Sequence, residues 1–192
     1  MFKGKKELTT YRKYVNLMIE ELDRANSIIT QFLSLAKDKA LEKKMVNLNV
    51  IIQTLFPLIQ AEAFKSGMHV QLELNDVPEL LLDENEMRQL ILNLVRNGLE
   101  EMEEGKKLTI KTYTETNKVV LAISDQGRGV KPEIIEKLGT PFLTTKDEGT
   151  GLGLAVCYSI ATRHNATINV ETSPEGSTFF VRFDLREKAN CG

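Results

Sequence analysis

The apolar run Val119-Val120-Leu121-Ala122-Ile123 ends in Asp125-Gln126-Gly127-Arg128-Gly129, and about twenty residues later a second glycine cluster follows, Gly149-Thr150-Gly151-Leu152-Gly153-Leu154. The first run has the character of a buried strand, so it delivers a carboxylate to a sheet end and then releases the chain into a loop. The second cluster opens an apolar helical stretch. A carboxylate there can accept a hydrogen bond from an exocyclic amine, and bare N–H groups at a helix start can receive phosphates. Either cluster alone is a weak signal. Together, in this order, they can hold a nucleotide at both ends, given a fold that brings the strand end and the helix start together.

The rest of the chain supplies such a fold. Residues 10–37 read as one long helix in which Tyr11, Val15, Met18, Leu22, Ala25, Ile29, Phe32 and Ala36 alternate spacings of four and three. Leu17, Ile28 and Leu35 widen that stripe, which favours a bundle formed between chains over packing on the domain that follows. The stretch Lys37–Lys44 reads as a solvated linker or helix end. Residues 49–65 look helical, with Pro57 expected to kink or interrupt them, and Met68–Leu74 alternates like a strand. Asp83 with Glu86 predicts a capping box, opening a helix over 84–103. Leu108–Thr114 and Val119–Ser124 form a hairpin around Glu115-Thr116-Asn117; short and longer helices start near Pro132 and Gly151. Ala166–Glu171 and Thr178–Leu185 close the unit across Ser173-Pro174-Glu175-Gly176. The expectation is an α+β domain over 47–192, preceded by a helical segment and linker over 1–46.

On the helix over 84–103, Asn93 and Asn97 share one face. Asparagine is a poor helix former, so a pair on one face needs a reason. Two carboxamides offer oxygens to Mg²⁺ and donors to phosphate without the repulsion carboxylates bring. The alternative is a pair of solvent-exposed asparagines. Charge weighs against one class: 25 basic against 27 acidic residues leave a net −2, which argues against a broad electrostatic grip on nucleic acid. No apolar run reaches membrane-span length, and the two cysteines, Cys157 and Cys191, form neither a disulfide framework nor a metal pattern. Cys157 reads as a buried thiol, and reducing, cytoplasmic surroundings fit best. Membrane-anchored segments upstream would be invisible in this stretch.

The ordered motifs resemble the catalytic core of bacterial sensor histidine kinases. The match comprises Asn93-x-x-x-Asn97, Asp125-x-Gly127-x-Gly129, Pro141-Phe142 with Thr144-Thr145-Lys146, and Gly149-x-Gly151-x-Gly153, with Gly176-Ser177-Thr178-Phe179 in the last turn. The first helix resembles the second helix of that family's dimerisation and phosphotransfer hairpin, through Ile19–Arg24 and Phe32–Ala36, and the overall tone is of the nitrogen-regulation and sporulation kinases. The resemblance implies a Bergerat-type ATP site in a two-layer α/β sandwich, with a mixed sheet and helices on one face. It implies that Asp125 binds the adenine amino group and that Gly127 and Gly129 let the backbone approach ring and sugar. Asn97 would ligate Mg²⁺ with Asn93 supporting the phosphates; both count as catalytic. Gly149, Gly151 and Gly153, with Thr150 and Leu152 between them, would place a helix start on the phosphates. Phe142 would latch a mobile lid between Gly139 and Thr150, with a core phenylalanine as the alternative. Thr144, Thr145, Lys146 and Thr178 complete the implied nucleotide contacts, with a plain surface lysine as the alternative for Lys146. The implied activity is transfer of the ATP γ-phosphoryl group to a histidine and thence to an aspartate of a response regulator, by a homodimer.

Two departures matter. The histidine nucleophile is not apparent: His69 and His164 lack its acidic neighbour and hairpin context and read as structural or surface residues, so Met1–Thr9 would be the remnant of the turn between hairpin helices. Some family members carry a basic and an aromatic residue after the asparagine motif, where this chain has Glu100-Glu101-Met102; Arg96 is the candidate substitute. Rival readings are a related ATPase or serine kinase of the same superfold, or a dimerising module that binds ATP without transferring it. The ATPases place a glutamate where Asn93 stands, and asparagine cannot take a proton from water.

Overall fold

Between Lys5 and Ala36 neither glycine nor proline interrupts the chain, and these residues belong to one continuous helix, α1 (Lys3–Ala36). The computed structural model describes residues 3–36, 41–146 and 149–185. The segment 3–9, expected as a turn remnant, is helical instead. Tyr11, Val15, Met18, Leu22, Ile29 and Phe32 of the expected seam are all exposed in the single chain. Residues 37–40 of the expected linker lie outside the described residues.

The chain divides into two compact units, Met1–Asp38 and Lys39–Gly192. Within the second, β1 (Lys44–Val46) pairs antiparallel with β3 (Leu80–Leu82), a small sheet with too few residues per strand to show periodicity in sequence. The expected boundary at residue 46 cuts through this pairing, and the division falls earlier.

Helix α2 (Leu48–Lys65) starts at Asn47, whose side chain accepts from the Asn49 N–H. It continues through Pro57 without the expected interruption. Pro57 and Gln53, four residues before it, are both exposed, so water can take the carbonyl that proline leaves unpaired. After β2 (His69–Leu74) and β3, α3 (Glu84–Glu101) begins at Asp83, whose Oδ1 accepts from the N–H groups of Asn85 and Glu86. The Asp83 N–H that the other half of the expected capping box would use donates instead to His164 Nε2 at 3.0 Å, and Glu86 pairs with Arg163 at 3.0 Å.

Five strands make the main sheet in the order β2-β4-β5-β7-β6, with β4 (Lys107–Glu115), β5 (Lys118–Ser124), β6 (Ala166–Ser173) and β7 (Gly176–Asp184). β2 runs parallel to β4 and every other pairing is antiparallel, so the sheet is mixed. Helices α2, α3 and α5 (Gly153–Arg163) cover one face, and α4 (Pro132–Ile135) sits in the loop before α5. The core between the layers is built from residues such as Ile52, Leu94, Ile110, Leu121, Val156 and Val181.

His164, expected as structural or surface, is structural. It is buried, its Nε2 accepts from the Asp83 N–H at 3.0 Å and its Nδ1 lies 2.9 Å from the Ile160 carbonyl. Burial holds its imidazole below the ordinary histidine value, consistent with the neutral tautomer this bonding needs. His69 is exposed at the start of an edge strand. Cys157 is buried as expected, with its thiol pushed up to about 12 by burial.

Candidate functional site

Strand β5 ends at Ser124, yet the ladder to β7 continues for one more residue: the Asp125 N–H donates to the Ser177 carbonyl at 2.9 Å. That bond fixes Asp125 at the sheet end. Its Oδ1 accepts from the N–H groups of Gly127 (2.8 Å) and Ser177 (3.2 Å), while no hydrogen bond engages Oδ2 among the described residues. Asp125 is only 8% exposed. Burial raises its carboxyl above the ordinary value, against the two backbone donors, and the nearby Glu101 charge adds to the rise.

The glycines around Asp125 are required mostly by the protein's own backbone. A Cβ on Gly127 would lie 2.7 Å from the Glu101 carbonyl oxygen, and one on Gly129 (φ +75°) 2.1 Å from that of Ser173. The resemblance assigned these two glycines to approach of ring and sugar; in the structure α3 and the β6–β7 turn already fill that role. Gly98 also belongs here, since a Cβ on it would meet Leu108 Cδ1 at 2.7 Å and Asp125 Cβ at 3.2 Å. Its absence lets α3 close onto the carboxylate.

Asn93 and Asn97 share one face of α3. Asn93 Nδ2 donates to the Gly153 carbonyl at 3.3 Å, tying α3 to the first turn of α5. Asn97 Nδ2 is buried with no hydrogen-bond partner among the described residues. A buried donor without a partner costs roughly 1–3 kcal/mol, so this amide holds hydrogen-bonding capacity that none of the described residues takes up. Arg96 does not join it; its guanidinium pairs with Glu62 of α2 at 3.0 Å.

At the start of α5 no side chain caps the helix, and Leu152, fully buried, anchors the turn while its N–H donates to Thr150 Oγ1 at 3.3 Å. Around a Cβ on Gly153 there is open space, which separates Gly153 from the other motif glycines. Gly151 (φ +65°) packs against the Phe142 backbone, and its carbonyl accepts from the Phe142 N–H at 3.0 Å. The main chain at Phe142 thus ties the 139–150 segment to Gly151. The Phe142 ring is 62% exposed, outside the core and at φ +66°, so the core alternative fails. Thr144 Oγ1 accepts from the Lys146 N–H at 3.1 Å, and a Cβ on Gly149 would fall 2.2 Å from it; Thr145 is exposed. Residues 147 and 148 lie outside the described residues.

Thr178 is not brought to the site. Its hydroxyl donates to Ser124 Oγ on the open face of the sheet, where it lines a trough of about 650 Å³ with Lys111, Tyr113 and Phe180. Ser177, its neighbour, takes the place at Asp125, buried and 2.9 Å from Thr172 Oγ1. The sequence carried a signal for this: Phe179, Val181 and Phe183 share Ser177's parity and are the buried set of β7. Glu101 was missed as well, although it lies one further turn along the Asn93–Asn97 face. Its carboxylate bonds Arg128 Nε at 2.8 Å and Lys146 Nζ at 3.2 Å.

A carboxylate at a sheet end, an uncapped helix start, paired carboxamides between them and a glycine-hinged segment beside them define a nucleotide-binding α/β sandwich. The chain belongs to the Histidine kinase-, DNA gyrase B- and HSP90-like ATPase family, whose model matches residues 82–187, and it carries the ATP-binding catalytic domain of a sensor histidine kinase. It is 35% identical to sporulation kinase E of Bacillus subtilis over 93% of this chain and 25% of the relative, so it spans about a quarter of that protein's length. Among solved structures it resembles histidine kinase ThkA in complex with response regulator protein TrrA, with TM-score 0.79 and 27% identity over 94% of this chain and 53% of that one. Full-length ShkA in complex with AMPPNP shares the fold at TM-score 0.80 and 22% identity, over 90% of this chain and 38% of that one. Among the described residues no helix is long and apolar enough to cross a membrane.

Proposed function

We propose that this chain is the part of a sensor kinase that moves the ATP γ-phosphoryl group to a histidine on a dimerisation hairpin, from which a response-regulator aspartate takes it. The buried Asn97 Nδ2 with no partner among the described residues, one helical turn from the Asn93 that bonds Gly153 at the uncapped start of α5, is the observation that carries this reading. Transfer passes through a loose transition state, so the protein's contribution is positioning and charge neutralisation. Asp125 Oδ2 would accept from the adenine amino group and select adenine over guanine, which has a carbonyl there. Asn97 Oδ1 would hold Mg²⁺, which when bound neutralises phosphate charge. Asn93, fixed by the Gly153 carbonyl, orients the phosphates, and the N–H groups that open α5 receive them. Neither asparagine can act as a base toward water, which disfavours hydrolysis as the main outcome.

The test supplies the missing acceptor. The protein, γ-labelled ATP and Mg²⁺ are mixed with a separate histidine-bearing hairpin protein of the sporulation-kinase type. Acid-labile label on that hairpin, transferable to a regulator aspartate, is expected. Tight ATP binding with no label on any hairpin supplied would mean a non-transferring module.

The exposed apolar seam of α1 supports a homodimer. Leu22→Lys places a charge in the middle of that seam. Sedimentation is expected to shift from dimer to monomer; an unchanged coefficient would mean the seam does not pair chains.

A further inference from the structure

Three segments distant in sequence converge on one side chain. Glu101 closes α3; Arg128 stands in the loop after Asp125; Lys146 stands in the 139–150 segment. Each Glu101 oxygen holds one cation, Oε2 the Arg128 guanidinium at 2.8 Å and Oε1 the Lys146 ammonium at 3.2 Å. Lys146 also reaches Glu100 Oε2 at 2.6 Å. Backbone contact reinforces the meeting point, since the Glu101 carbonyl abuts Gly127. Burial works to raise the Glu101 carboxyl, but the two cations outweigh it and hold it below the usual carboxylate range. The Lys146–Glu101 pair is shielded on both sides, whereas the Arg128 side chain is 73% exposed. Since surface pairs are weak and shielded ones less screened, most of the grip falls on Lys146.

The quartet is electrically balanced, two carboxylates against two cations, and it lies one turn beyond Asn97 on the same helix face. A polyanion arriving at Asn97 and the α5 start is the one ligand that competes directly with Glu100 and Glu101 for Lys146. We infer that Glu101 is a positioning residue, a clasp that parks Lys146 on α3 and yields it to the phosphate tail, so that it sets the phosphate-dependent part of nucleotide affinity. The inference rests on the ATP reading of the site. It assigns no direct nucleotide contact to Glu101.

The clasp has consequences with and without ligand. In the nucleotide-free protein, Glu101→Gln should speed hydrogen exchange of the amides at 144–146, because Lys146 loses one of its two anchors. In calorimetry at neutral pH, Glu101→Gln should tighten ATP about threefold, the scale of one modest ion pair, and leave adenosine, which has no phosphates, unchanged. In a Lys146→Met background the same substitution should give no gain. Unchanged exchange, equal effects on ATP and adenosine, or a gain that persists without Lys146 would each overturn the clasp. Failure of the unaltered protein to bind ATP at all would remove the underlying nucleotide reading, a result the exchange measurement does not share.

Discussion

Asp125→Asn is expected to weaken ATP by at least about a hundredfold while leaving the fold at least as stable, a split that few binding-site changes give. Oδ1 already accepts from Gly127 and Ser177, and an asparagine carbonyl can keep both bonds. The other terminus then becomes an NH₂ group that meets the adenine amine donor to donor. Stability moves the other way. Burial raises the folded-state carboxyl above its unfolded value, so the folded protein holds that proton more tightly than the unfolded chain does. The resulting stabilisation is complete below the unfolded value and is lost as pH rises through the folded one. At neutral pH the buried charge is therefore a cost, which asparagine removes. Calorimetry with Mg-ATP and a thermal melt on the same preparation check both halves. Unaltered affinity would refute the adenine assignment, and a large drop in melting temperature would mean that Asp125 is there for the fold.

How much of this site the sequence revealed depended on the length over which each signal acts. Asp125 and the uncapped start of α5 were legible because each lies where a long apolar run meets glycines, and a nucleotide must span such ends. The Asn93–Asn97 pair was legible because helical spacing fixes a shared face. Thr178 was misplaced because along a strand one residue of phase exchanges the faces, and Phe180, apolar but on the open side, blurs the alternation that Phe179, Val181 and Phe183 set. Strands β1 and β3 offered three residues each, too few for any period. The Glu101 pairings depend on where a loop and a glycine-hinged segment come to rest, which spacing within α3 does not encode. Pro57 was read as a helix breaker because exposure of the freed carbonyl, which makes it tolerable, is a property of the packed unit.

Gly129→Ala and Gly153→Ala contrast a glycine closed in by backbone with one whose Cβ would meet open space, and they should fail in opposite ways. At Gly129 a Cβ would fall 2.1 Å from the Ser173 carbonyl oxygen, and the obstacle is backbone held within the β6–β7 hairpin. It cannot rotate away as a side-chain tip could. The residue also stands at φ +75°, where alanine costs about 1–2 kcal/mol before any clash. With the clash added, a total of about 3 kcal/mol or more is expected, a fall of about 10 °C in melting temperature for a unit of this size. At Gly153 the methyl meets open space, and alanine favours the first turn of a helix, so melting should hold or rise slightly. That methyl would nonetheless stand at the uncapped N–H groups that open α5, and ATP affinity should fall about tenfold, the scale of one displaced charge-assisted hydrogen bond. Adenosine, which lacks the tail, should bind the Gly153 variant as it binds the unaltered protein. If ATP and adenosine weakened equally there, the start of α5 would not be a phosphate site. If Gly129→Ala melted unchanged, the glycine after Asp125 would have to be explained by the ligand after all, as the family resemblance implied.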